Sequence, residues 1–530
     1  MVQTVKQFTE NNLNQAQLEA VMHENGPMLI VAGAGSGKTK TLVSRVVRLV
    51  DSGIPPERIL LLTFTRKAAQ EMISRATELV DQRCSNISGG TFHSFAAKQL
   101  RAHGSVLGFT RNFTIYDRAD SEVVIGRERD TLLKEIEKIK GSKPDDFPSK
   151  ALLATIFSRS VNRNEKIGEA LERESPAHIK YALEVSYLQE AYTKSKHQKN
   201  SMDYDDLLVL LLELMKNDPL LRRSISKQFD HILVDEFQDT NHIQAEILQL
   251  LATEEKNVVA VGDDSQSIYS FRGARHRNIL DFSSIFQGTK IVKLEENYRS
   301  FQPILAMSNA VMDNATEKIE KNLRAVRKGG KLPIVYSTDG ELEQAQFVVN
   351  NILKMRADGV SLKDIAILFR VGSMGDMLEI ILARERIPYR KFGGLKFLEC
   401  AHVKDVLSFL RFAENPQDTV SLKRILMMIK GIGTKTTENI IKAVTIAARE
   451  NSKVEALAAL KSSGKPGVKE LAKLLANIEG KTPIEALKEV YRYYDPILER
   501  DYEDLDRKWR KEHLEQILDI ASVYTTLELF

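Results

Sequence analysis

The chain has 530 residues, 43% hydrophobic and 28% charged, with a formal net charge of +4; that length predicts roughly three or four domains, excludes wholesale disorder, and is compatible with nucleic acid without arguing for it. Two cysteines, Cys84 and Cys400, exclude a disulfide framework and any zinc or iron–sulfur spacing. The polar start "MVQTVKQFTENNLNQAQ" carries no secretory h-region, and no window approaches the roughly 18 apolar residues of a membrane span, so a soluble cytoplasmic protein with no membrane partner is expected.

In chain order, "PMLIVA" (27–32) predicts a buried strand and "KTKTLVSRVVRLVDSG" (38–53) a helix, with Leu42, Val46, Val47, Leu49 and Val50 on one side. "RILLLTFT" (58–65) and "RKAAQEMISRATELV" (66–80) repeat the pair. Continuous apolar strands between helices imply a parallel sheet covered on both faces. From about 112 to 200 the chain turns to charged helices such as "ERDTLLKEIEKIKG", which predicts a helical insertion. "HILVDEFQD" (231–239) and "NVVAVGDD" (257–264) resume the strands, each ending in carboxylates. A second α/β unit is expected from near 290, with strands in "KIVKLEENYRS" (290–300) and "DIAILFR" (364–370), before a helical, charged segment from about 399.

"AGAGSGKT" (32–39) lies between a strand and a helix, the context in which a glycine-rich loop cradles phosphate. Gly33, Gly35 and Gly37 let backbone N–H groups turn toward phosphate oxygens, with Ala32, Ala34 and Ser36 completing the loop. Ala32 stands where glycine is usual. Lys38 can reach the β- and γ-phosphates, and Thr39 can ligate Mg²⁺. Asp235, after three apolar residues, suits a carboxylate that holds Mg²⁺, and Glu236 is placed to orient or deprotonate water. The expected chemistry is hydrolysis of a nucleoside triphosphate with ATP and Mg²⁺ as cofactors. The loop "VGDDSQSIYSFRGA" (261–274) joins a polar front half ending at Gln266 to a back half suited to stacking, with Tyr269, Phe271 and Arg272.

These motifs in this order resemble the UvrD/Rep/PcrA family of superfamily 1 DNA helicases. The likeness extends to "LNQAQLEAV" (13–21) as a Q motif, "TFTRKAAQEM" (63–72) as motif Ia and "GTFHSF" (90–95) as Ib. "DYDDLL" (203–208), "LEENYRS" (294–300) as motif IV and the stretch from 387 to 411 continue it. The resemblance implies that Gln17 reads adenine, Tyr298 stacks on it, and Arg299 and Gln266 address the γ-phosphate. It implies that Phe64, Tyr269 and Phe271 lie on a single-stranded DNA path, with Arg66, Arg272 and His93 beside it. Phe271 replaces the family's tryptophan, Arg66 its asparagine and Lys40, next to the phosphate loop, its arginine. "IKGIGTKTTENI" (429–440) looks like half of a helix–hairpin–helix, whose Gly431, Gly433 and Lys435 would touch duplex DNA; the alternative is a plain glycine turn capped by Thr434.

The resulting expectation is a P-loop α/β protein with two RecA-like parallel-sheet lobes, each carrying a helical insertion. The first lobe takes 1–111 and 201–289 with its insertion at 112–200; the second takes 290–398, with an outer insertion at 399–530. The implied activity is 3′→5′ translocation and unwinding on single-stranded DNA and single/double-strand junctions, without sequence specificity, alongside repair or replication proteins at the nucleoid. Two later family motifs, resembling "HSAKGLEF" and "YVGVTRA", do not occur in this sequence. The second lobe is therefore expected to be incomplete, the chain a truncated product and its unwinding impaired. The alternative is an ATP-responsive DNA- or partner-binding protein that does not unwind; a third reading, the motor arm of a helicase–nuclease, lacks a nuclease carboxylate cluster.

Overall fold

The structure is a computed structural model that describes residues 12–79, 82–144, 146–252, 257–370, 400–448 and 452–501 continuously, with further short stretches between 372 and 391 and between 507 and 530. The apolar runs form β1 (Met28–Ala32) and β2 (Ile59–Thr63), and later β6 (His231–Val234), β7 (Val258–Gly262) and β8 (Lys290–Leu294), while the small polar stretch Ser88–Thr91 forms β3. They make one six-stranded sheet in the order β3-β2-β6-β7-β1-β8, every neighbouring pair parallel.

Strand alternation divides the apolar side chains between two cores. Leu29, Val31, Leu60, Leu62 and Val234 face one, with Phe95 and Leu100 of the helix Phe92–His103. Met28, Ile30, Leu61, Leu233 and Val261 face the other, with Leu42, Val46 and Val47 of the helix Lys38–Asp51 and Met72 of the helix Arg66–Leu79. Each such Leu, Ile or Val contributes about 1.5–3 kcal/mol on burial, which explains why β1 and β2 carry no polar residue before their last position. In a parallel sheet the carboxyl ends of the strands share one edge, so the loops after β1, β2, β3, β6 and β7 emerge together there.

The segment near 290 forms a strand, but in the first sheet. β8 pairs with β1 from Met28 opposite Lys290 to Ala32 opposite Leu294. Its Val292 and Leu294 are buried while Ile291 is exposed, the pattern of an edge strand with one covered face. The strand expected at 364–370 is not formed. Residues Leu362–Asp364 make one short helical turn, and Leu368 is 95% exposed. An apolar run becomes a strand only where a neighbour satisfies its backbone, and no second large parallel sheet forms among the described residues.

The helices Arg118–Lys140, Lys150–Arg163, Ile167–Glu174 and Ala182–Gln198 surround a separate core that includes Val124, Leu153, Phe157 and Leu188. Two short strands, β4 (Thr114–Tyr116) and β5 (Ser201–Asp203), pair in parallel and hold the entry and exit of this insertion together. By contacts the chain divides into two compact units, residues 1–331 with 411–476, and residues 332–410 with 477–530. In the second, the helix Glu341–Ala357 packs Ala345, Val349 and Ile352 against Leu378, Ile381 and Leu382, and Tyr336 stacks on Phe347 with ring centroids 3.8 Å apart. Among the described residues no helix is long and apolar enough to cross a membrane.

Candidate functional site

The glycine-rich loop leaves β1 at Ala32 and enters its helix at Lys38. Gly35 and Gly37 hold φ of +85° and +88°, backbone that side-chain-bearing residues rarely adopt. Neighbours also press on the loop. A Cβ on Gly35 would lie 2.5 Å from Cβ of Arg299, one on Gly37 2.5 Å from Nε2 of Gln17, and one on Gly33 2.7 Å from Leu323. Ser36 turns inward, its Oγ donating to the Gly33 carbonyl at 2.8 Å.

Gln17 is the third helical residue after the cap Asn14, and the two close a reciprocal pair: Gln17 N–H donates to Asn14 Oδ1 at 2.8 Å, and Asn14 N–H to Gln17 Oε1 at 3.2 Å. Its Nε2 donates to the Ser36 carbonyl at 3.0 Å. The Gln17 amide thus grips the phosphate loop's backbone with both ends engaged. Lys40 is exposed and its Nζ donates to the Asn12 carbonyl; Thr39 is half-buried in the first helical turn.

Lys38 Nζ lies 2.8 and 3.1 Å from the two carboxylate oxygens of Glu236. Glu236 follows β6 and holds φ +50°, an uncommon backbone for a non-glycine residue. Beside it Asp235 is buried, and burial first and the Glu236 charge second push its pKa up to about 7. Asp235 Oδ1 is buried without a hydrogen-bond partner. A lone buried carboxylate oxygen beside a phosphate loop fits a divalent cation. Asp239 is pushed to about 6 by the same causes in the same order.

Gln238 has no role in the sequence reading, yet it joins the loops. Its Nε2 donates to Glu236 at 2.8 Å, and its Oε1 accepts the Asp263 N–H at 3.0 Å. Asp263 in turn accepts from Gln266 Nε2 at 2.5 Å. A continuous polar path therefore runs from Lys38 through Glu236, Gln238 and Asp263 to Gln266. Three residues further on, the Tyr269 ring lies 4.9 Å from Phe64 and 5.8 Å from Phe271. Phe64 and Phe271 are exposed, so three aromatics from the ends of β2 and β7 form one open row.

Tyr298 and Arg299 meet the loop from the β8 side. Asn297 Nδ2 donates to the Ala34 carbonyl at 2.5 Å, and Tyr298 N–H to the Gly35 carbonyl at 2.9 Å. Tyr298 is exposed, and its hydroxyl donates to Glu296 at 2.8 Å and accepts from Asn14 at 3.0 Å. Arg66 begins its helix, exposed. His93 is half-buried edge-on to Tyr204, and burial followed by the Arg66 charge lowers its pKa to about 4, so it is neutral at pH 7. Gly431, Gly433 and Lys435 sit exposed at a separate turn, anchored by buried Ile432. The side chain of Arg272 and residues 392–399 of the resembling 387–411 stretch lie outside the described residues.

Signals for the missed residues differ. Gln238 sits inside "DEFQD" and Asn297 inside "LEENYRS", both already singled out. Asp263 and Leu323 gain meaning only from what they touch.

Residues 13–287 match the family model described as the UvrD/REP helicase N-terminal domain, and residues 292–527 that of the UvrD-like helicase C-terminal domain. The chain is 33% identical over 527 residues to a protein of Staphylococcus epidermidis named ATP-dependent DNA helicase PcrA, covering 97% of this chain and 70% of that relative. It is 34% identical over 433 residues to a protein of the same name from Staphylococcus aureus, covering 81% of this chain and 58% of the relative. The expectation of a truncated product is not confirmed by these matches.

Gly35→Ala tests the loop. The added Cβ meets Arg299 at φ +85°, and strain of about 1–3 kcal/mol falls on the loop itself. Affinity for an ATP analogue, read by fluorescence titration, should fall about tenfold with single-stranded DNA binding unchanged; wild-type affinity would remove this loop from phosphate binding.

Proposed function

The chain belongs to the UvrD/Rep/PcrA family of superfamily 1 helicases, an ATP-hydrolysing DNA helicase family, and we propose that it translocates 3′→5′ along single-stranded DNA by coupling its phosphate site to the aromatic row. The observation that carries this reading is the polar path from Lys38 to Gln266, ending three residues before the Tyr269 ring. A change at the phosphates is thereby passed to side chains that stack on bases.

In this reading the backbone of 33–37 and Lys38 hold the β- and γ-phosphates, and Gln17 keeps the loop in shape. Thr39 and Asp235 would hold Mg²⁺, which would supply neutralisation of the phosphate charge. The unpartnered buried oxygen of Asp235 supports that assignment. Glu236 takes the proton of the attacking water. Tyr298 offers its face to adenine, and Arg299, packed against Gly35, extends to the γ-phosphate. Phe64, Tyr269 and Phe271 stack on successive bases, which suits any sequence because every base has a π-face. Arg66 and neutral His93 line that path, and the Gly431–Gly433 turn with Lys435 meets the duplex ahead of it. Repair or replication proteins are the expected partners at such junctions.

Glu236→Gln should lower ATP turnover by ~10²–10⁴, the usual worth of a general base, with nucleotide affinity kept, whereas Lys38→Ala should lose affinity as well. Steady-state hydrolysis alongside nucleotide titration separates the two, and normal turnover in either variant contradicts the assignment.

Phe271 is 52% exposed, so Phe271→Ala should leave the melting temperature unchanged. Binding of single-stranded DNA should weaken by ~1–3 kcal/mol, one stacked base. A drop in melting temperature that accounts for the binding loss would mark Phe271 as packing instead.

Direction and unwinding are read with partial duplexes bearing a 3′ or a 5′ single-stranded tail. ATP-dependent displacement from the 3′-tailed substrate alone is expected. Displacement from the 5′ tail refutes the polarity, and ATP-dependent binding without displacement refutes unwinding.

A further inference from the structure

One buried cation stands at the motor's polar path without a part in the roles above. Lys321 lies in the segment between the helix Gln302–Asp313 and β10 (Arg324–Ala325), and its side chain is buried. Its ammonium is 2.9 Å from Asp263 Oδ1 and 2.9 Å from Ser265 Oγ, and it also pairs with Asp264 Oδ1. The second Asp264 oxygen accepts the Ile319 N–H at 3.2 Å. Asp263 and Asp264 are both buried, and removing one partner of a buried ion pair leaves an uncompensated charge. The loop is therefore held where Lys321 is.

The segment that carries Lys321 touches the other working parts too. β10 pairs in parallel with β9 (Glu296–Asn297), which leads directly into Tyr298 and Arg299. Leu323, two residues beyond Lys321, lies against Gly33 of the phosphate loop. The Asp263 carboxylate that Lys321 binds also accepts from Gln266, and the Asp263 backbone N–H donates to Gln238 Oε1. Any shift of the 319–325 segment relative to β7 must pull on that carboxylate or break the pair.

We propose that Lys321 is a positioning residue that ties the Arg299 side of the nucleotide site to the loop bearing Gln266 and the aromatic row, so that nucleotide state sets the grip on DNA. The proposal rests on the helicase reading above. Lys321 acts through Asp263 and Asp264.

The test compares wild type with Lys321→Met, Lys321→Arg and the double variant Lys321→Met/Asp264→Asn. The double variant restores the original balance of buried charge, which keeps the test decisive if Lys321→Met alone folds poorly. Three quantities are read: DNA-stimulated ATP turnover, KM for ATP, and the ratio of single-stranded DNA affinities with an ATP analogue and with ADP. In Lys321→Met and the double variant, DNA-stimulated kcat should fall about tenfold with KM little changed, and the affinity ratio should collapse toward one, the loss of a typical coupling between two sites. Lys321→Arg should recover part of the coupling. A double variant that melts like wild type and keeps both stimulation and ratio overturns the proposal. So does a loss that only follows the folded fraction. Absence of DNA stimulation in wild type would instead overturn the helicase reading, and this inference with it.

Discussion

Four carboxylates, Asp235, Glu236, Asp263 and Asp264, end two neighbouring parallel strands, and the site depends on how their charge is balanced. Three of the four are buried, and an isolated buried carboxylate costs on the order of several kcal/mol. Two lysines answer them from distant parts of the chain: Lys38 from the phosphate loop and Lys321 from the segment after the helix Gln302–Asp313. Gln238 fills the space between the pairs, donating to one loop and accepting from the other. Asp235 alone keeps an oxygen without a partner, and its raised pKa follows from that isolation and from the adjacent Glu236 charge.

Crowding of the phosphate loop follows from the same geometry. Because β8 adds to the β1 edge of the first sheet, the chain leaving it at Glu295 is delivered beside the loop that leaves β1. Asn297 then bonds the Ala34 carbonyl, and Arg299 comes against Gly35. Gln17 approaches from the N-terminal side and Leu323 covers Gly33. Three glycines in this loop thus serve two ends: they free the backbone N–H groups for phosphate, and they admit neighbours that a Cβ would exclude.

The insertion is tied to the 411–418 segment by buried charge as well. Arg411 bonds Asp120 at 2.5 Å and lies 3.5 Å from Asp418, and these two acids, outweighing the cost of burial, raise its pKa. Asn415 Nδ2 donates to Thr114 Oγ1 at 2.7 Å at the root of the insertion. Residues far apart in sequence therefore fix where the insertion's helices attach. In the second unit, by contrast, the apolar residues Ile334, Val335 and Leu368 remain exposed, and the helix Glu341–Ala357 with its small core gives that unit its order.

Local chemistry was legible in the sequence because it is written in contiguous residues. "AGAGSGKT" between an apolar strand and a helix, "ILVDEFQD" with its terminal acids, and "SQSIYSFRG" with its aromatics each declare a loop at the end of a strand, since period, length and turn residues are local properties. The parallel sheet followed from uninterrupted apolar runs, and the insertion from the shift to charged helices. Strand order was not legible: nothing in "KIVKL" distinguishes the edge of the first sheet from the start of a second, and only the open side of β1 decided it. "DIAILFR" has every local mark of a strand, yet backbone hydrogen bonds need a partner strand, which no local pattern supplies. The contact of the Gln17 amide with the Ser36 carbonyl likewise depends on where the fold brings the phosphate loop, which no local pattern supplies. No motif marks Lys321; its role exists only where the fold carries it to Asp263 and Asp264, because a buried charge is defined by its neighbours in space.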